Sequence, residues 1–191
     1  AEHGYCPLVL ERGYDVDRRS EAVRRFWEDG EFDSRSNVQF GEGGAGTFSD
    51  GKLTTRVNHP LLRQITQKLV EAGAPKEILY AYNPHIGTDV LRAVVKNLRR
   101  KIERLGGEVR FESCLTDLIT DENGSLKAVV VNGNERIETE GLILGIGHSA
   151  RDTYRMLYDR KVYLEKKAFA VGVRIEHDQK VIDRAQYGCD A

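Results

Sequence analysis

The stretch that most constrains this chain is Asn37 to Thr54, NVQFGEGGAGTFSDGKLT, which carries Gly41, Gly43, Gly44, Gly46 and Gly51 of the nineteen glycines. Glycine is entropically costly to order and gives a core nothing to bury, so this density implies that bare backbone must approach something closely. Backbone N–H groups outside regular structure form concave nests for anions. Lys52, with Thr47, Ser49 and Thr54, supplies the charge and hydroxyls that a phosphate uses. The alternative is a mobile glycine linker, but such linkers lack interleaved Lys, Asp and Phe.

Two nucleotide motifs overlap this stretch and neither suits its context. Gly41-x-Gly43-x-x-Gly46 has the dinucleotide spacing, yet that fingerprint needs a strand before it and a helix opening on its last glycine, and TFSDGKLTT has no helical apolar period. Gly46-x-x-x-x-Gly51-Lys52 approaches a P-loop, but Leu53 stands where Ser or Thr must hold Mg²⁺, which argues against a nucleotide hydrolase.

Charge and cysteine usage narrow the classes further. With 29 basic and 30 acidic residues interspersed over 191 positions, the chain has no long-range field to favour nucleic acid or an anionic membrane. Cys6, Cys114 and Cys189 are far apart and form no C-x-x-C, so a disulfide framework, a thiol redox pair and a thiolate zinc site are disfavoured and a reducing cytoplasm is expected. No apolar run reaches membrane-spanning length, and the five histidines lack the i, i+4 pairing of a metal site.

In chain order, Ala1 to Tyr5 reads as the last turn of a helix stopped by Gly4, followed by an apolar strand, Pro7 to Leu10, with Glu11 at its tip. In a dinucleotide-binding βαβ unit an acid in this place accepts hydrogen bonds from the adenosine ribose, about twenty residues after a glycine turn. Counting back places that turn before Ala1, so the chain is expected to be a piece of a larger protein; an ordinary surface strand ending in Glu is the alternative. Asp15 to Asp33 has a short helical stripe of Val23, Phe26 and Trp27. Pro60 to Ala72 is an amphipathic helix with Leu61, Leu62, Ile65, Leu69 and Val70 on one side. A longer helix follows His85-Ile86-Gly87, capped by Thr88 or Asp89, with Leu91, Val94, Val95, Leu98, Ile102 and Leu105 on its apolar face. Its N-terminus offers His85, Gly87 and Thr88 to an anionic ligand.

The next fifty residues read as a β-meander: Val109 to Ile119, Leu126 to Val131, and Arg136 to Ile146. The apolar run Leu142 to Ile146 is expected to be a central strand of a parallel sheet. It leads into Gly145-x-Gly147-x-x-Ala150, a helix to Tyr158 and an acid, Glu165, at the end of a short strand; on spacing this is the chain's best NAD(P) fingerprint. AFAVGVRIEH, from Ala168, alternates like an antiparallel strand.

Strand-end Glu11-Arg12-Gly13, the GEGGAGTFSDGKL loop, the HIGTD helix, the meander, LGIGHSARDT and AFAVGVRIEH together resemble the bacterial and archaeal FAD-dependent dehydrogenases of the glutathione-reductase-like flavoprotein superfamily. The resemblance spans essentially the whole chain, and FSDGK joined to GHSARDT is its most specific part. It implies an α/β fold: a partial Rossmann-like FAD/NAD(P)-binding domain over 1–160, with a β-meander crossover and a helical excursion over 56–83, then the start of a substrate-side domain over 161–191. It also implies that Glu11 and Arg12 meet the adenosine end of FAD, that Gly43, Gly44, Ser49, Gly51 and Lys52 lie along the pyrophosphate and towards the flavin, and that Leu115 pairs through its backbone with the adenine edge. Gly147 and His148 become a turn returning to the same cofactor, which replaces the separate NAD(P) reading. The family's N-terminal glycine fingerprint and C-terminal flavin-contacting segment have no counterpart in these residues.

The implied chemistry is hydride transfer through FAD to a small-molecule substrate, with NAD(P)H as a candidate electron donor. Lys52 would favour negative charge on the reduced flavin, and His85, Arg174 or His177 could meet an anionic substrate, but the sequence names no catalytic acid or base. The rival classes are a non-catalytic NAD(P)- or nucleotide-binding module on Gly145 to Ala150 and an RNA-modifying flavoprotein.

Overall fold

A computed structural model describes residues 1–48, 51–53, 59–173 and 175–189. The fold is mixed α/β, with one small parallel sheet and one antiparallel sheet. Contacts divide the chain into two units, Ala1–Lys161 and Val162–Ala191.

In the first unit the opening turn is closed by a Gly4 N–H to Ala1 carbonyl bond, with Gly4 at φ 82°. Strand β1 (Leu8–Leu10) pairs in parallel with β2 (Glu108–Arg110), Val9 opposite Val109. Between them lie helices α1 (Val16–Asp29), α2 (Leu61–Glu71) and α3 (Thr88–Arg104), and two short 3-10 turns, Ala45–Phe48 and Lys76–Leu79. Asp15 caps α1 by accepting from the N–H groups of Asp17 and Arg18, and Gly30 ends it in the left-handed conformation. The buried face of α1 is Val16, Arg19, Ala22 and Val23, whereas Trp27 is exposed and meets the Phe48 ring edge to face. The expected Val23, Phe26, Trp27 stripe is therefore rotated towards the helix's N-terminal half.

Helix α3 is entered through Gly87 at φ 85°, with no side-chain cap, so neither Thr88 nor Asp89 plays the expected role. Its buried Val94 packs with Ala72, Ala74, Ile78 and Ile86, and with the half-buried Leu69, Val70, Leu91 and Leu98. Leu61 and Ile65 of α2 stay about half exposed, so only part of that apolar stripe is covered.

Strands β3 (Leu115–Thr120), β4 (Leu126–Val131) and β5 (Glu135–Glu138) form the antiparallel meander. With helix α4 (Arg151–Asp159) they bury Leu118, Val129, Val131 and Leu157. Three strand expectations are corrected. The single strand over Val109 to Ile119 is broken at Phe111–Cys114, where Glu112 takes φ 53° and the N–H groups of Glu112 and Ser113 bond to the carbonyls of Gly13 and Glu11. The third strand stops at Glu138, beyond which the Thr139 hydroxyl donates to the Gly141 carbonyl at 2.9 Å. Leu142 to Ile146 has no strand pairing and Ile143 is 97% exposed.

In the second unit the described residues of 162–177 form no strand, contrary to the alternation read at AFAVGVRIEH, and Phe169, Val171, Val173 and Ile175 are exposed. Helix α5 (Gln179–Tyr187) follows, capped by Asp178, whose side chain accepts from the Lys180 N–H. Among the described residues no helix is long and apolar enough to cross a membrane.

Candidate functional site

The parallel pair β1–β2 delivers Glu11 to the end of a strand. One oxygen of its carboxylate, Oε1, accepts from the Gly13 N–H at 2.8 Å and from the Gly41 N–H at 3.1 Å. The strand-end turn and the glycine loop are thus joined by one side chain, while Oε2 has no hydrogen bond among the described residues. The two backbones touch there: a Cβ built on Gly13 would lie 2.6 Å from the Gly41 Cα and 2.8 Å from its nitrogen. No side chain at position 13 can be accommodated without separating the two segments.

The loop itself is organised by two buried charged residues. Arg19, fully buried on α1, donates from Nε to the Asn37 carbonyl at 2.9 Å and from Nη1 to the carbonyls of Gly41 at 3.2 Å and Glu42 at 2.7 Å. Burial lowers its pKa to about 10, opposed by the charges of Glu11 and Glu42. Glu42, 8% exposed, accepts from the Val16 N–H at 2.7 Å and from Arg99 Nε at 2.8 Å.

From Glu42 to Gly51 the described residues of the loop run along α3 in the opposite direction to the helix. Glu42 meets Arg99, a Cβ on Gly43 would touch Val95 at 3.1 Å, Phe48 lies under Arg92, and a Cβ on Gly51 would touch Leu91 at 3.3 Å. Leu91, Val95 and Arg99, four apart, and Arg92, three before Val95, share one face. Phe48 lies between two guanidiniums, with the Arg19 Cζ 4.8 Å and the Arg92 Cζ 5.1 Å from its ring centroid. Gly43 and Gly44 both take positive φ, 87° and 68°. The N–H groups of Gly43, Ala45 and Gly46, all on exposed residues, have no acceptor among the described residues.

Gly51 is buried, and its carbonyl accepts from the Ile86 N–H at 3.1 Å. Lys52 is exposed and forms an isolated antiparallel bridge with His85, which places both at the entrance to α3. Ser49, Thr54 and Arg174 lie outside the described residues.

Arg12 connects the strand-end turn to α4. Its guanidinium donates to Asp152 at 2.6 Å and to the Thr153 hydroxyl at 3.4 Å, and it lies 5.4 Å from the Phe40 ring centroid. Burial, the largest single influence, disfavours that charge, but the Asp152 hydrogen bond and the interactions with Cys114 together outweigh it and raise the Arg12 pKa; in return the Arg12 bond holds the Asp152 carboxyl below its usual range. Leu115 opens β3, and its side chain packs with the Leu118, Val131 and Leu157 cluster. The segment before it is the one bonded to Glu11 and Gly13. Gly147, at φ 66°, and His148 are exposed in the turn before α4, with His148 Nε2 3.4 Å from the Ser149 hydroxyl.

The structure therefore brings Glu11, Arg12, Gly43 and Gly44 into one assembly. Leu115 and α4 are tied to it through Glu112–Ser113 and Arg12, and Gly51 and Lys52 reach it along α3. The carriers missed in the sequence reading are Arg19, Glu42 and Arg99. Their one legible signal was a charged residue, Arg19, three positions after Val16 and three before Ala22 on the apolar face of α1.

A dinucleotide's phosphates need bare backbone N–H groups, a close backbone approach and nearby positive charge. The Gly43–Gly46 turn has the bare backbone and the guanidiniums of Arg19 and Arg92 beside it supply positive charge, with Arg19 Nη2, Thr47 Oγ1 and Arg92 Nε buried and unpartnered among the described residues. Among the described residues no group of three or more His, Cys, Asp or Glu is arranged to hold a metal ion.

No family model matches the chain. It is similar to an uncharacterized protein of Clostridium beijerinckii, 56% identical over 188 residues and 98% of this chain. The chain spans 35% of that relative's length.

Proposed function

We propose that this chain is the FAD-holding part of an oxidoreductase of the FAD-dependent dehydrogenase type, with a Rossmann-like arrangement completed by further polypeptide. The observation that carries the reading is the joint between Glu11 and Gly41: a strand-end carboxylate with one oxygen unbonded among the described residues, fixed against a glycine turn in which the N–H groups of Gly43, Ala45 and Gly46 have no acceptor among them. In this reading Glu11 Oε2 accepts from a ribose hydroxyl. The N–H groups of Gly43, Ala45 and Gly46 receive the pyrophosphate, and Arg12 sets the α4 turn, with Gly147 and His148, against the same ligand. Bound FAD would supply hydride transfer between a small-molecule substrate and a nicotinamide donor. The protein's own part is to bind, orient and exclude water, in a reducing cytoplasm.

The reading in which Gly145–Ala150 is a separate NAD(P) module finds less support. Its fingerprint needs a paired strand before the turn, and Leu142–Ile146 has none.

The experiment is an absorption spectrum of the full-length protein, as purified and after incubation with FAD. Flavin absorbs in the visible region where nicotinamide and adenine do not. A colourless protein that takes up no FAD would end this reading.

A further inference from the structure

Three guanidiniums, those of Arg19, Arg92 and Arg99, lie under or beside the glycine loop, against two carboxylates, Glu11 and Glu42. The local balance among the described residues is one positive charge in excess. Among the described residues two of those guanidiniums also have a buried nitrogen without a partner, Arg19 Nη2 and Arg92 Nε, and the hydroxyl of Thr47, the residue before Phe48, is likewise buried and unpartnered. Buried polar atoms are normally satisfied, and a buried charge costs more than a neutral group to leave so.

The carbonyls of the loop are equally informative. A peptide turn that presents N–H groups to an anion must have its carbonyl dipoles drawn away, because an oxygen facing the anion repels it. Arg19 binds three of those carbonyls, Asn37, Gly41 and Glu42, immediately before the exposed Gly43. Its position is also fixed sterically. A Cβ on Gly41 would collide with the stem of Arg19, and one on Gly43 would collide with the Thr47 hydroxyl.

We propose that Arg19 is a positioning residue for a phosphoanhydride: it never touches the ligand, but by gathering the three carbonyls it sets the N–H groups of Gly43, Ala45 and Gly46 to receive two linked phosphates. Lysine cannot replace it, since one ammonium cannot span three carbonyls in the planar fork that guanidinium provides. The ligand's class, a phosphoanhydride, and its identity as FAD rest on the function proposed above; the ordering of the loop carbonyls by Arg19 does not.

The test is calorimetric titration of the full-length protein and its Arg19→Lys and Arg19→Met variants with inorganic pyrophosphate, FAD and adenosine, at a temperature where each is shown to be folded. The expected result is a loss of at least tenfold in affinity for pyrophosphate and for FAD, with adenosine unchanged. An equal loss for all three would mean that Arg19 only holds the fold together, and unchanged pyrophosphate affinity would remove it from the site; either overturns the proposal. If both variants fail to fold, hydrogen exchange on the unaltered protein decides. Pyrophosphate should slow exchange at the amides of Gly43, Ala45 and Gly46, and no protection there overturns the proposal. Binding of pyrophosphate without FAD by the unaltered protein would refute the flavin reading while supporting the role of Arg19, and binding of neither would refute both.

Discussion

Arg99 on α3 donates to the Glu42 carboxylate at 2.8 Å, and the other oxygen of that carboxylate accepts from the first N–H of α1, that of Val16, at 2.7 Å. One buried acid therefore couples two helices through the loop between them. Glu42→Ala leaves a partly buried guanidinium and a helix N–H unpaired, and is expected to lower unfolding free energy by about 3–5 kcal/mol. Urea denaturation measures it, and a loss below about 1 kcal/mol would show that the link is dispensable.

Glu11 has two separable roles. Glu11→Gln keeps a carbonyl oxygen for the N–H groups of Gly13 and Gly41, whereas Glu11→Ala removes it and should cost about 1–3 kcal/mol of stability. FAD affinity of the full-length protein should fall in both variants, by about tenfold to a hundredfold in Glu11→Ala. Unchanged flavin affinity in a destabilised Glu11→Ala protein would make the residue purely structural.

The Arg12–Asp152 pair should be visible in acid. The Asp152 carboxyl is held below its ordinary 3.8 by the Arg12 hydrogen bond, so its contribution is complete above that value and is lost as the pH falls through the lower folded-state value. Asp152→Asn should accordingly melt below the parent at neutral pH, with the gap closing below pH 3.8. A gap that persists undiminished in strong acid would assign the defect to packing of α4 instead.

Among the described residues nothing lies within 4 Å of a Cβ built on Gly147, although its φ of 66° strains any side chain there. Gly147→Val should cost about 1–3 kcal/mol from backbone strain alone. If the turn serves FAD, the folded variant should lose flavin, because the side chain would stand where backbone meets the ligand. If it serves a separate nicotinamide, the flavin spectrum should persist while reduction by NADH or NADPH disappears in stopped flow, and that outcome refutes the single-site assignment.

The sequence told most where local chemistry decides. The strand ending at Glu11, helix α3 after Gly87, the meander and the glycine loop could all be read from turn residues and apolar periods. Leu142–Ile146 was read as a paired strand because its composition suits one, but a strand exists only through a neighbour, and no segment among the described residues supplies it. AFAVGVRIEH fails for the same reason. Arg19, Glu42 and Arg99 were invisible for another: each acts across 18 to 57 positions of sequence, and nothing local marks an ordinary Arg or Glu as buried.

The antiparallel course of the glycine loop along α3 bears on what the chain can tolerate by way of length. Surface loops usually absorb an inserted residue at little cost. Here Glu42, Gly43, Phe48 and Gly51 each meet a fixed rung of the helix, so a residue added among them must bulge away from α3 or drag the whole run out of step. A one-residue insertion within α3 between Val95 and Arg99 would turn every later rung by about 100° and swing Arg99 off Glu42. For all its glycine, this loop has the indel sensitivity of a core element.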